Sequence, residues 1–92
     1  MTDSGSSGKK ARMEIAVYPL GTGDTSVSKE VSAIFDVLDR CGLTYQITTM
    51  CTIIEGTLDE LFVVARKLHD SMFSDDVKRV ITTIKFDERR EI

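Results

Sequence analysis

Between Met13 and Asp87 the spacing of apolar side chains switches repeatedly between the two-residue period of a strand and the 3.6-residue period of a helix, and that succession leaves few folds open. Met13–Leu20 alternates as a strand, with Ile15 and Val17 on one face and Ala16 and Tyr18 on the other, until Pro19 limits its hydrogen bonding. Val27, Val31, Ile34, Phe35 and Leu38 have helical spacing, follow the candidate N-caps Thr25 and Ser26, and stop at Gly42, a natural residue just past a helix C-terminus. Leu43–Thr48 and Met50–Ile54 read as two strands of a hairpin turning through Thr48 and Thr49. Thr57-Leu58-Asp59-Glu60 is a capping box, and Leu58, Leu61, Phe62, Ala65, Leu68 and Met72 form the stripe of a second helix. Val77–Phe86, rich in β-branched residues, is the last strand.

The order βαββαβ with right-handed crossovers predicts an α+β, ferredoxin-like sandwich: a four-stranded antiparallel sheet with both helices on one face. The opposite sheet face then carries a mixture such as Tyr18, Met50, Thr52, Ile81 and Thr83, with no element left to cover it. An apolar face of that extent predicts a second subunit. Residues 1–12, with Ser4, Gly5, Ser6, Ser7 and Gly8, offer little to bury and read as a flexible leader, leaving 13–92 as one domain.

Charge narrows the partners. The net charge is −3, but residues 1–12 carry Lys9, Lys10 and Arg12 against Asp3, so the leader is +2 and the body −5. An acidic body disfavours nucleic acid, which requires a basic face. No apolar run approaches the roughly 20 residues of a spanning helix, and no secretory signal is apparent, so a cytoplasmic protein without membrane contact is expected. Cys41 and Cys51 have neither ligand spacing nor a C-x-x-C pattern and read as unbridged thiols.

Chemistry is sparse. His69 is the only histidine, which precludes a histidine cluster for metal; late in the second helix its default role is structural. Gly21-Thr22-Gly23 precedes a helix but lacks the rest of a phosphate-binding signature. The first loop has no paired cysteines for a soft metal and no arginine for an anion. The two strand-to-helix junctions, Pro19–Ser26 and Glu55-Gly56-Thr57, do gather hydroxyls, glycines and a carboxylate near helix N-termini, where a polar ligand can be met. Binding without catalysis, and hence no enzyme, is the expectation.

Pro19-Leu20-Gly21-Thr22, Ser26-Val27-Ser28, Gly42-Leu43-x-Tyr45-Gln46, Thr52-x-Ile54-Glu55-Gly56 and Arg79-Val80-x-Thr82-x-Ile84-Lys85-x-Asp87-x-Arg89-Arg90 together resemble the YkoF-like thiamine-binding family over about Glu14 to Glu91. The resemblance implies a homo-oligomer, typically a dimer of dimers, a pocket for thiamine or its hydroxymethylpyrimidine part, and no established catalysis. The chain departs from the family where Thr49-Met50-Cys51-Thr52 stands for the usual Pro-Met-Gly-Thr, so that Cys51 adds a side chain at a glycine position. An aminopyrimidine asks for hydroxyls and backbone groups, and a thiazolium cation for a carboxylate or an aromatic face. Thr22, Thr48 and Thr52 are the candidate hydroxyls, Glu55 the candidate charged contact, and Tyr18, with Tyr45 as alternative, the candidate platform. No resident cofactor or metal is implied. The competing reading is an oligomeric regulatory or scaffold domain that binds a protein partner and no small ligand.

Overall fold

Local signals and tertiary packing agree on the order of elements in the computed structural model, which describes residues 10–21 and 28–90. Strand β1 (Ala11–Leu20) is followed by helix α1 (Ser28–Cys41), strands β2 (Thr44–Ile47) and β3 (Thr52–Gly56), helix α2 (Leu58–Ser71) and strand β4 (Arg79–Asp87). The strands form one sheet in the order β2-β3-β1-β4, every neighbouring pair antiparallel. This is the ferredoxin-like α+β arrangement. The candidate N-caps Thr25 and Ser26, together with Thr22 and most of the leader, lie outside the described residues.

Register determines the two faces. Met13 stands opposite Ile54 on one side and Phe86 on the other, and Ile15 opposite Thr52 and Ile84. Met13, Ile15 and Ile54 are buried with Leu61, Val64, Ala65 and Leu68 of α2 and Leu38 of α1, so this is the inner face and holds the core. Burying those side chains supplies the main driving force of folding, about 25 cal/mol per Å² of apolar surface.

Several expectations are corrected. Strand β1 begins at Ala11, two residues into the segment read as leader, because Ala11 pairs with Gly56 and is buried at the end of the core. Met50 is not in a strand: Thr48–Cys51 is a turn, closed by Thr48 N–H donating to the Cys51 carbonyl at 2.9 Å, and Met50 is 80% exposed at its tip. Thr52 belongs to the inner face, since its pairing with Ile15 turns it inward, and it is buried. Tyr18, Ile81 and Thr83 do share the outer face, with Tyr18 opposite Ile81 and Ala16 opposite Thr83. In α2 the buried stripe includes Val64 in place of Phe62, which is exposed.

Two helix ends behave as their residues dictate. The Thr57 hydroxyl accepts from the Glu60 N–H at 3.2 Å and the Glu60 carboxylate accepts from the Thr57 N–H at 2.9 Å, satisfying two otherwise orphaned donors. After α1 the chain turns at Gly42 with φ +73°, a left-handed conformation that favours glycine. Cys41 and Cys51 are free thiols; that of Cys41 donates to the Leu38 carbonyl at 3.1 Å.

Candidate functional site

Unequal strand lengths open the candidate site. β3 pairs with β1 only as far as Ile15↔Thr52, whereas β1 runs on with β4 to Leu20↔Arg79. Ala16–Leu20 therefore have no β3 partner, and alternate backbone groups along that stretch face away from β4 without a strand among the described residues to receive them. Beside this open edge lies a cleft of about 260 Å³, bounded by β1, the Thr48–Cys51 turn and the N-terminal half of α1. Its walls are mostly apolar, from Ile15, Val17, Val31, Ile34, Ile47 and Met50, with Thr52, Cys51 and Tyr18 among the groups that add polarity. That volume suits one small heterocycle better than a nucleotide.

Of the five residues singled out in the sequence, the cleft gathers three. Thr52 reaches it from the inner face and Tyr18 from the end of β1. Thr48 also lines it, but its hydroxyl is engaged in the turn, donating to the Cys51 carbonyl at 2.8 Å and accepting from the Met50 and Cys51 N–H groups at 3.2 and 3.1 Å. Thr22 lies outside the described residues. Glu55 stands apart: it is opposite Arg12 on the outer face, in a shallow depression shared with Lys10, Arg12, Asp87 and Arg89. Its carboxylate thus shares this depression with three cationic side chains and the carboxylate of Asp87.

Tyr45 and His69 are held by structural partners. The Tyr45 hydroxyl donates to the Asp39 carboxylate at 3.2 Å, and this bond, with smaller contributions from burial and the negative field of Asp39, raises the phenol above its ordinary value of 10.0. His69 Nδ1 lies 2.6 Å from the Thr82 hydroxyl and its ring meets Phe73 edge-on, tying α2 to β4. Among the described residues no group of three or more His, Cys, Asp or Glu could hold a metal ion, and no helix is long and apolar enough to cross a membrane.

Residues 13–92 match the sequence profile of a family described as thiamine-binding protein. The chain belongs to that thiamine-binding family. Curated relatives include a UPF0045 protein of Methanothermobacter thermautotrophicus, 38% identical over 79 residues covering 85% of this chain and 80% of the relative. The UPF0045 protein YqgV of Bacillus subtilis is 35% identical over 82 residues, covering 85% and 79%. A crystal structure of a hypothetical protein from Methanocaldococcus jannaschii superposes with a TM-score of 0.79 at 34% identity, covering 91% of this chain and 84% of that one.

For this member of the thiamine-binding family, sequence reasoning missed the apolar half of the cleft. Val31, Ile34 and Ile47 read as ordinary core positions, and nothing local distinguishes a residue that lines a cleft from one that fills a core. The available signal was the mismatch between a long first strand and a short third one, which leaves part of the β1 edge without a partner.

Proposed function

We propose that this protein binds thiamine or its hydroxymethylpyrimidine part, without transforming it, in the cleft beside the open edge of β1, and that it does so as a cytoplasmic homo-oligomer. The observation that carries the reading is that open edge: unpaired strand backbone next to the Thr52 hydroxyl, between apolar walls, offers donors and acceptors to ring nitrogens and an exocyclic amine. Membership of a thiamine-binding family supports the ligand class. Met50 provides surface for the ring faces, Tyr18 borders the cleft at the open edge of β1, and Cys51 narrows the cleft near the turn.

No carboxylate among the described residues lines the cleft, so affinity rests on the neutral pyrimidine rather than on the thiazolium charge. Calorimetry with thiamine and with the pyrimidine alcohol tests this. Both should bind wild type with similar affinity, and Thr52→Val, nearly isosteric, should weaken both by about tenfold through loss of one hydrogen bond worth about 1–1.5 kcal/mol. Glu55→Gln should change either affinity by less than about twofold. A loss confined to thiamine on Glu55→Gln would move the charged contact to the basic depression. Failure of wild type to bind either compound would sink the ligand reading.

A further inference from the structure

The cleft opens where β3 meets the turn through Thr48–Cys51, and that turn is held in an unusual way. Ile47 and Thr52 form the closing pair of the β2–β3 hairpin, and the same Thr52 is the end residue of β3 opposite β1. Residues 48–51 include no glycine or proline, and none of them has a positive φ. One side chain takes the place of those turn formers. The Thr48 hydroxyl donates to the Cys51 carbonyl at 2.8 Å, which also receives the Thr48 N–H at 2.9 Å, and it accepts from the N–H groups of Met50 and Cys51 at 3.2 and 3.1 Å. A threonine hydroxyl has one proton to donate and two lone pairs to offer, and all three are used inside the turn. The Cys51 sulfur, 3.9 Å from that oxygen, is a much weaker acceptor than the carbonyl.

We infer that Thr48 is a positioning residue for the cleft: its hydroxyl does not meet the ligand but fixes the turn that keeps the Thr52 hydroxyl facing inward. Side chains alternate along a strand, so a one-residue slip in the pairing of Ile47 with Thr52 carries Thr52 to the outer face and takes its hydroxyl out of the cleft. Bonds from a threonine hydroxyl to nearby backbone groups oppose such a slip by defining the turn locally. Without the hydroxyl, the Met50 and Cys51 N–H groups lose their acceptor, and the bond from the Thr48 N–H to the Cys51 carbonyl is what remains to close the turn. Thr48 therefore acts through Thr52. The inference rests on the reading of the cleft as the ligand site.

Calorimetry with thiamine and with the pyrimidine alcohol on wild type, Thr48→Val, Thr48→Ser, Thr52→Val and the Thr48→Val/Thr52→Val double variant provides the test, with circular dichroism to verify folding. Thr48→Val should weaken both compounds by about tenfold, the scale of one lost hydrogen bond, and Thr48→Ser, which keeps the hydroxyl, should restore both to within about twofold of wild type. The double variant should bind within about twofold of Thr52→Val alone, because a misplaced turn has no Thr52 hydroxyl left to misplace. In the ligand-free protein, hydrogen exchange at the Cys51 amide should quicken at least about fivefold in Thr48→Val and stay near wild type in Thr48→Ser. If valine at this position disrupts folding, Thr48→Ala carries the same comparison. Wild-type affinity in Thr48→Val, a serine variant as weak as the valine one, or losses that multiply to about a hundredfold in the double variant would overturn the positioning role alone. Lost affinity with unchanged exchange at Cys51 would overturn it too, and would make Thr48 a direct contact. Failure of wild type to bind either compound would overturn this inference and the ligand reading together.

Discussion

The two helices have equal lengths of 14 residues and occupy corresponding places after β1 and β3, yet they are held by different means. α2 buries Leu61, Val64, Ala65 and Leu68 and approaches β1, β3 and β4, and its first turn is closed by the capping box. Among its described side chains α1 fully buries Leu38, with Ile34 and Val37 half-covered; its closest backbone neighbours lie on α2, and its Val31 and Phe35 remain exposed. One helix anchors the fold. The other, lifted from the sheet at its N-terminal half, leaves the cleft beneath it. In so small a domain a cleft opens where a repeated unit is packed less completely than its counterpart, at the low end of local stability.

Truncation in the two helices should separate them most. Leu61→Ala removes a fully buried side chain from α2 and should cost about 3 kcal/mol, whereas Ile34→Ala, beside the cleft, should cost about half as much. Urea unfolding of both variants compares them directly; equal losses would mean that α1 is as tightly packed as α2. Thr57→Ala should cost about 1 kcal/mol by removing the hydroxyl of the capping box, read as a lower denaturation midpoint with an unchanged slope. Native-state hydrogen exchange should show the amides of Ser28–Cys41 opening before those of Leu58–Ser71, by more than tenfold in rate.

The smallest effect concerns the link between β2 and α1. Because folding favours the protonated phenol of Tyr45, the contribution of its bond to Asp39 is fully present below the ordinary tyrosine value near 10 and is lost as pH rises through the higher folded value. Tyr45→Phe should therefore match wild type more closely in stability at strongly alkaline pH than at neutral pH. A stability difference that stays constant across that range would mean that the bond to Asp39 contributes through packing alone.

Much of the fold was legible because it rests on local signals. Alternation at Met13–Val17, the Thr57–Glu60 capping box and the stop at Gly42 depend on residues within a turn or two of each other, so their meaning survives without neighbours. The site was less legible. Whether Thr52 faces the core or solvent depends on its register with Ile15, which the four-residue turn at Thr48–Cys51 sets and an alternating pattern alone does not. Glu55 and Thr52 are only three positions apart, but the pleat sends them to opposite faces, one into basic company and the other into the cleft.

The sequence by itself determined the order of elements, the capped start of α2, the stop of α1 at Gly42 and the family, since each is encoded in short-range spacing or in matched residues along the chain. Tertiary structure alone decided which face each strand residue joins, how far β3 accompanies β1, and therefore where a ligand-sized cleft opens. Those depend on pairing between segments some forty residues apart, such as Ile15 with Thr52, where free energy is shared among many contacts and no single residue carries the signal.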